Sequence, residues 1–221
     1  PAGKALRRSG AFWTMVLGFV MMGIDNGAII TNSISNMTSV NLNGIDVVTG
    51  GHDPQWAGNV WAFYLACVIA FKILLGHIYD RWGMRAGTVL GTIASLAAAV
   101  ALCFPQTDAG PILACLFFGF GTCMGTVAPP ILTVKEFGKA DLGTVVGIVT
   151  AFEMFGAAVG AVASGMLFDA YLSFTPAWIM VMGATLVMGA ALLWSIRASR
   201  TLVKRATAEG APLLVEGEGR N

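Results

Sequence analysis

Six long apolar runs divide the chain, with short polar segments between them. The runs cover about residues 11–33, 57–77, 86–104, 110–133, 143–168 and 176–196. Each is close to the roughly 20 residues that a helix needs to cross about 30 Å of hydrocarbon. The pattern predicts an all-α membrane protein, with residues 11–196 forming one bundle of six transmembrane helices.

Composition supports this class and excludes others. The chain has 221 residues, of which 56% are hydrophobic and 11% are charged, against about 25% charged in a soluble domain. It contains no GxxxxGK[ST], HExxH or GxSxG motif, so we predict neither an ATP-driven pump nor an enzyme. His52 and His77 lie in polar segments without metal-ligand spacing. We expect no cofactor, no metal ion and no nucleic-acid partner.

Lysine and arginine alternate from one polar segment to the next. The segments 34–56, 105–109 and 169–175 have none, whereas the other segments and the two ends carry the basic residues. These are Lys4, Arg7, Arg8, Arg81, Arg85, Lys135, Lys139, Arg197, Arg200, Lys204, Arg205 and Arg220. The positive-inside rule then places both termini in the cytoplasm. We expect a multi-pass protein of the plasma (inner) membrane.

A short pattern occurs twice at the ends of apolar runs. Gly76 is followed four residues later by Asp80, and Gly165 is followed four residues later by Asp169. The charge pattern puts the first copy inside the cell and the second outside, so the two halves of the chain would have opposite orientations. Two inverted three-helix repeats are typical of secondary transporters, whose substrate sites lie near the midplane between repeats.

The first copy belongs to a longer motif, whose glycines Gly76 and Gly83 should let the chain bend tightly. Gly76-x-x-x-Asp80-Arg81-x-Gly83-x-Arg85 resembles the signature loop of the major facilitator superfamily, which usually reads G-x-x-x-D-R-x-G-R-R/K, with Met84 in place of one basic residue. The segment from Gly165 to Asp169, followed by Pro176-Ala177-Trp178, resembles the eleventh span and following turn of a twelve-span member. Lys72-Ile73-Leu74-Leu75-Gly76 is similar to the monocarboxylate and oxalate/formate porter branch.

The resemblance implies the C-terminal six-helix half of a twelve-helix permease. Residues 1–10 would end a cytoplasmic linker, and residues 197–221 would form a cytoplasmic tail. The partners would be membrane lipid, a small-molecule substrate such as an organic anion, and a missing N-terminal six-helix half or a second copy. The implied activity is secondary active transport by alternating access, with proton or ion coupling. Two alternatives are a non-transporting sensor or scaffold with this fold, and a six-helix half-transporter that forms homodimers.

Charged side chains within the spans are candidates for function because their burial in a membrane is costly. Glu153 lies about ten residues, or about 15 Å, into its span. It is either a proton-coupling carboxyl or cation ligand, or a group that only ties helices together. Asp25 and Asn26 lie in the first span, where the outer end could be hydrated. Lys72 either attracts an anionic substrate or extends to the inner surface. The fifth span carries Glu153 and no basic residue, unlike many anion carriers, which leaves a carboxylate substrate open.

Two further sets of residues have candidate roles. Gly76, Asp80, Arg81, Gly83 and Arg85 would form a conformational latch, since such charges pair with carboxylates, lipid phosphates or helix ends. The alternative is a positively charged turn that sets topology only. Glycines spaced four apart permit close helix approach. These helix-packing candidates are Gly121, Gly125, Gly156 and Gly160.

Two other features lead to local expectations. Pro129-Pro130 should break or kink the fourth helix near its end. Asn36-Met37-Thr38 matches a glycosylation sequon, which also occurs often by chance.

Overall fold

The computed structural model describes residues 10–42, 44–137 and 142–208, and these form six long helices and one β-hairpin. Helices α1–α6 are Gly10–Met37, Pro54–Arg81, Gly83–Leu102, Ala109–Phe137, Leu142–Tyr171 and Thr175–Ala208; strands β1 and β2 are Ser39–Leu42 and Ile45–Val48. All six helices are long and apolar enough to cross a membrane, which confirms the predicted fold class. The described residues leave out residues 1–9 of the predicted linker end, Lys139, and residues 209–221 of the predicted tail.

The contacts between helices follow a two-fold pattern. Helix α1 packs most extensively on α5 and α6, whereas α4 packs mainly on α3 and α2, and α3 packs on α6. Exchanging α1, α2 and α3 with α4, α5 and α6 converts the α1–α5 contact into α4–α2 and the α1–α6 contact into α4–α3. The same exchange leaves the α3–α6 contact unchanged. This arrangement agrees with the inverted repeat that the two Gly-x-x-x-Asp patterns predicted.

The corner between α2 and α3 is tighter than the sequence suggested. Helix α2 continues through Gly76 to Arg81, and α3 begins at Gly83, so Trp82 alone separates them. Gly83 has φ +84°, a conformation that glycine adopts without steric cost. An added Cβ on Gly76 would have no neighbour within 4 Å. The expectation that both glycines bend the chain is therefore right for Gly83 and wrong for Gly76.

Helix α4 continues through its two prolines. Pro129 and Pro130 lie inside the helix, which extends to Phe137, so the expected break is wrong. Proline has no backbone N–H, and the carbonyls of Gly125 and Thr126 therefore lack the usual α-helical donor four residues later. Neighbouring helices can compensate for such losses in a membrane bundle.

The hairpin lies between α1 and α2 and pairs its strands from Ser39↔Val48 to Leu42↔Ile45. His52, just beyond it, stacks on Trp56 with ring centroids 4.1 Å apart. The same imidazole lies 2.8 Å from the Pro105 carbonyl through Nε2 and 3.6 Å from Asp108 through Nδ1. These contacts attach the hairpin segment to the loop between α3 and α4.

Asn36 joins three helices at this end of the bundle. Its side-chain amide donates to the Leu102 carbonyl at 3.0 Å, and its Oδ1 accepts from Trp178 Nε1 at 3.3 Å. Asn36 is 3% exposed and Trp178 is fully buried. Because both ends of the Asn36 amide are engaged inside the bundle, this fold leaves no room for a glycan at the sequon.

Candidate functional site at the bundle centre

Helices α1 and α5 approach each other closely at four glycines. A Cβ added at any one of them would overlap backbone atoms of the facing helix. They are Gly23 and Gly27 on α1 and Gly156 and Gly160 on α5. Close backbone approach of this kind is typical of small residues in membrane helices. It brings the Glu153 side chain, one turn before Gly156, against α1.

Glu153 lies within the bundle and is only 3% exposed. Its Oε1 faces Gly125 of α4 so closely that a Cβ on Gly125 would overlap this oxygen. The same added Cβ would lie 3.2 Å from Asn26 Nδ2, and the Asn26 side chain is hydrogen-bonded to the Glu153 carboxyl. The other oxygen, Oε2, is buried and has no hydrogen-bond partner in the part of the chain that the structure describes.

Asn26 connects this carboxyl to two further helices. Its Oδ1 accepts a 3.0 Å hydrogen bond from Thr122 Oγ1 on α4. The Thr122 hydroxyl also interacts with the Tyr64 phenol on α2. Tyr64, Thr122, Asn26 and Glu153 thus form a polar chain through α2, α4, α1 and α5, which we call the central polar chain.

Aromatic rings hold the far end of the central polar chain. Tyr64 stacks on Trp61 with centroids 4.5 Å apart and on Phe118 with centroids 5.2 Å apart. Tyr64 is 5% exposed. Sequence analysis missed Tyr64 and Thr122 because neither carries a charge; the available signal was a hydroxyl inside an apolar run.

The Asp25 side chain contacts a different helix from that of its neighbour Asn26. Its Oδ2 lies 2.6 Å from Thr185 Oγ1 on α6, and the residue is 3% exposed. The second oxygen, Oδ1, is buried and lacks a hydrogen-bond partner among the residues described. The structure therefore brings together Asn26 and Glu153 of the predicted candidates, and it places Asp25 in the separate α1–α6 contact.

Lys72 also lies apart from the central polar chain. It is an exposed residue of α2, two helical turns before Asp80. Within the described ranges, no ion pair joins Lys72 to Asp25 or Glu153. A direct role for Lys72 beside the two carboxyl groups has no support in this conformation.

The signature residues occupy one corner of the bundle. Asp80, Arg81 and Arg85 are all exposed where α2 meets α3. Trp82, at the N-cap of α3, makes no side-chain capping bond, so the start of α3 has no such cap. A gating role for this corner remains a prediction.

Gly121 and Gly125 contact different neighbours although they lie one turn apart. A Cβ on Gly121 would lie 3.3 Å from Ser95 Cα and would overlap Ser95 Oγ on α3, whereas Gly125 faces Glu153. In residues 10–42, 44–137 and 142–208, no three His, Cys, Asp or Glu side chains are grouped so as to hold a metal ion.

Comparison with known proteins shows the family. Residues 15–216 match the family described as "Major Facilitator Superfamily". The chain is 29% identical over 120 residues to "Multidrug resistance protein MdtH" of Aeromonas hydrophila subsp. hydrophila and 28% identical over 120 residues to the protein of that name in Aeromonas salmonicida. Each alignment covers 54% of this chain and 29% of the relative's length. The family match covers nearly the whole chain, and the chain therefore belongs to the major facilitator superfamily, a family of transporters rather than enzymes.

Proposed function

We propose that this chain is one six-helix half of a secondary active transporter that moves a small solute by alternating access. Family membership and the six spanning helices support transport across a membrane. The two-fold pattern of helix contacts supports the assignment as a six-helix half of a permease, because one pair of inverted three-helix repeats forms one six-helix unit. The chain aligns with 29% of the length of its relatives, and the complete permease would have twelve helices.

The observation that carries the proposal is the environment of Glu153. One carboxyl oxygen faces Asn26 and Gly125, while the other is buried without a partner in the described residues. Ionisable groups inside a membrane bundle mark ion pathways and proton relays. We assign to Glu153 the binding of the coupling proton, with Asn26 as its hydrogen-bond donor. Coupling to another ion is the alternative.

Lys72 supports an organic anion as one substrate class. A lysine exposed on a spanning helix is costly against lipid, so this face of α2 would border an aqueous cavity or protein. The likeness to the monocarboxylate and oxalate/formate branch favours an anion. The two relatives are named as multidrug resistance proteins, and drug-like compounds are therefore the competing class.

Helices α2 and α5 would face the other half of the permease. In their most apolar windows 22% and 28% of residues are buried, against 39% or more in the other four spans. They are also equivalent under the two-fold exchange. An N-terminal six-helix half covering both would remove these apolar faces and Lys72 from lipid. A second copy of this chain is the alternative occupant.

The remaining assignments concern orientation and gating. The α2–α3 corner with Gly76, Asp80, Arg81, Gly83 and Arg85 would be a cytoplasmic latch in one conformation and would open in the other. Both termini would then lie in the cytoplasm, in a plasma (inner) membrane. Residues 11–196 would form the bundle between the linker end and the tail.

Flux measurements separate transport from sensing. The full-length protein in proteoliposomes is offered a panel of organic anions and cationic drugs, and both uptake and ligand-induced thermal stabilisation are measured. Transport predicts pH-dependent uptake, with a changed pH dependence in Glu153→Gln. Stabilisation without flux would support the sensor or scaffold. Crosslinking in membranes tests the homodimer.

A further inference from the structure

We propose that Thr122 and Tyr64 are positioning residues for Glu153: they fix the Asn26 amide so that its N–H group, rather than its oxygen, faces the carboxyl. This inference rests on the proposed role of Glu153 as the coupling group. Neither residue is charged, and neither need touch the transported solute.

Thr122 fixes the orientation of the Asn26 amide. An asparagine side chain has one acceptor oxygen and one donor NH₂ group. Thr122 lies 3.0 Å from Oδ1 and donates its hydroxyl proton to that oxygen. The NH₂ group must then point the other way, towards Glu153, where it can stabilise the carboxyl. Rotating the amide by about 180° would put an oxygen against the Glu153 oxygens and leave Thr122 without its acceptor, and buried unsatisfied groups cost about 1–3 kcal/mol.

Asn26 in turn fixes the orientation of the Thr122 hydroxyl. A threonine hydroxyl has one proton and two lone pairs. Because that proton goes to Asn26, the Tyr64 phenol can hydrogen-bond to Thr122 only as the donor. The central polar chain therefore has one direction, from Tyr64 through Thr122 and Asn26 to Glu153. Hydrogen bonds arranged in one direction polarise each other in a low-dielectric interior.

Stacked aromatic rings anchor the Tyr64 end of the central polar chain. Tyr64 is stacked between Trp61 and Phe118, and aromatic pairs of this kind have defined geometry. The chain consequently begins on rings fixed to α2 and α4 and ends on a carboxyl of α5. A relative movement of these helices would change the hydrogen bonding of Glu153, which is how solute binding near α2 could reach the coupling group.

The test is infrared spectroscopy of the full-length protein in lipid vesicles, titrated with pH and without any solute. The carboxylic C=O stretching band of Glu153 is identified by its loss in Glu153→Gln. Thr122→Val keeps the shape and removes the hydroxyl, so we expect this band to shift to higher frequency as the carbonyl loses its donor. Thr122→Ser retains a hydroxyl and should therefore leave the band at its wild-type frequency.

Two further variants make the result specific. Thr126→Val is the matched control. Thr126 lies one turn along α4, is exposed, and donates to the backbone carbonyl of Cys123 in its own helix at 3.3 Å, so the band should stay in place. Tyr64→Phe keeps both ring stacks and should shift the band in the same direction as Thr122→Val, by less. An unshifted band in both Thr122→Val and Tyr64→Phe would overturn the positioning role.

The shift of the Glu153 infrared band can be measured independently of transport. If Glu153→Gln retained gradient-driven uptake, the proposed coupling function would fail although the band shift could still be observed. If the band did not shift while Glu153→Gln abolished coupling, Glu153 would keep its function and the positioning chain would be rejected.

Discussion

Gly125 of α4 provides the space that the Glu153 carboxyl of α5 occupies. A single methyl group at position 125 would overlap Oε1. The carbonyl of Gly125 also lacks its usual donor four residues later, because Pro129 has no N–H. The candidate site therefore requires a residue without a side chain at position 125 as well as the polar groups.

Gly125→Ala should displace the carboxyl and reduce coupled transport. Overpacking of a filled interior costs about 1–3 kcal/mol, so we also expect a lower melting temperature. The two measurements are thermal unfolding in detergent and solute uptake in proteoliposomes. Gly147→Ala on α5 is the control, since a Cβ there has no neighbour within 4 Å. Equal uptake by the two variants would contradict this account of Gly125.

Asp25 should affect stability more than coupling. Thr185→Val removes the group 2.6 Å from Asp25 Oδ2 and leaves a buried oxygen unsatisfied, at a cost of about 1–3 kcal/mol. We expect a lower melting temperature with an unchanged pH dependence of uptake. Thr126→Val, at an exposed position, serves as the reference. A shifted pH profile in Thr185→Val would instead place Asp25 in the coupling pathway.

Asn36 should stabilise the end of the bundle near the hairpin. Asn36→Ala removes the hydrogen bonds to Leu102 and Trp178 and should cost about 1–3 kcal/mol, measured as a lower melting temperature. Asn41→Ala is the control because Asn41 is exposed and bonds only within the hairpin, to Asp46 and Gly44. If Asn36→Ala and Asn41→Ala had the same melting temperature, the Asn36 hydrogen bonds would make no measurable contribution to stability.

Lys72 distinguishes the two substrate classes. For an organic anion, Lys72→Gln should weaken apparent affinity about tenfold, which corresponds to about 1.4 kcal/mol, and Lys72→Arg should retain most of it. For a cationic drug, Lys72→Gln should leave affinity unchanged or improve it. Concentration-dependent uptake of one solute of each class gives the comparison; weakened uptake of the cation alone would contradict both expectations.

The six helices could be predicted because each apolar run has the length of a membrane span. The side-chain partners could not be predicted, since Asp25 and Asn26 are both polar and are adjacent in the chain. A turn of about 100° around α1 between them sends Asp25 to Thr185 and Asn26 to Glu153. Hydropathy does not indicate which helix packs on each side of α1, because this depends on the tertiary structure.

At Gly76 and in the hairpin, the differences between the sequence prediction and the structure have local causes. Gly76 looked like a bend, but glycine is tolerated within membrane helices and α2 continues through it. The hairpin could have been predicted from Asn43-Gly44 between Val40, Leu42, Ile45 and Val47, an alternating pattern around a two-residue turn. Tyr64 and Thr122 needed the structure, because a lone hydroxyl in an apolar run has no preferred partner in sequence.

The most direct test of the central claim, that Glu153 carries the coupling proton, compares accumulation with exchange in proteoliposomes of the full-length protein. An imposed proton gradient should drive the wild-type protein and Asp25→Asn to accumulate solute above its external concentration. Glu153→Gln should fail to accumulate solute under the same gradient but should still exchange internal for external solute. Accumulation by Glu153→Gln at the wild-type level would contradict the account.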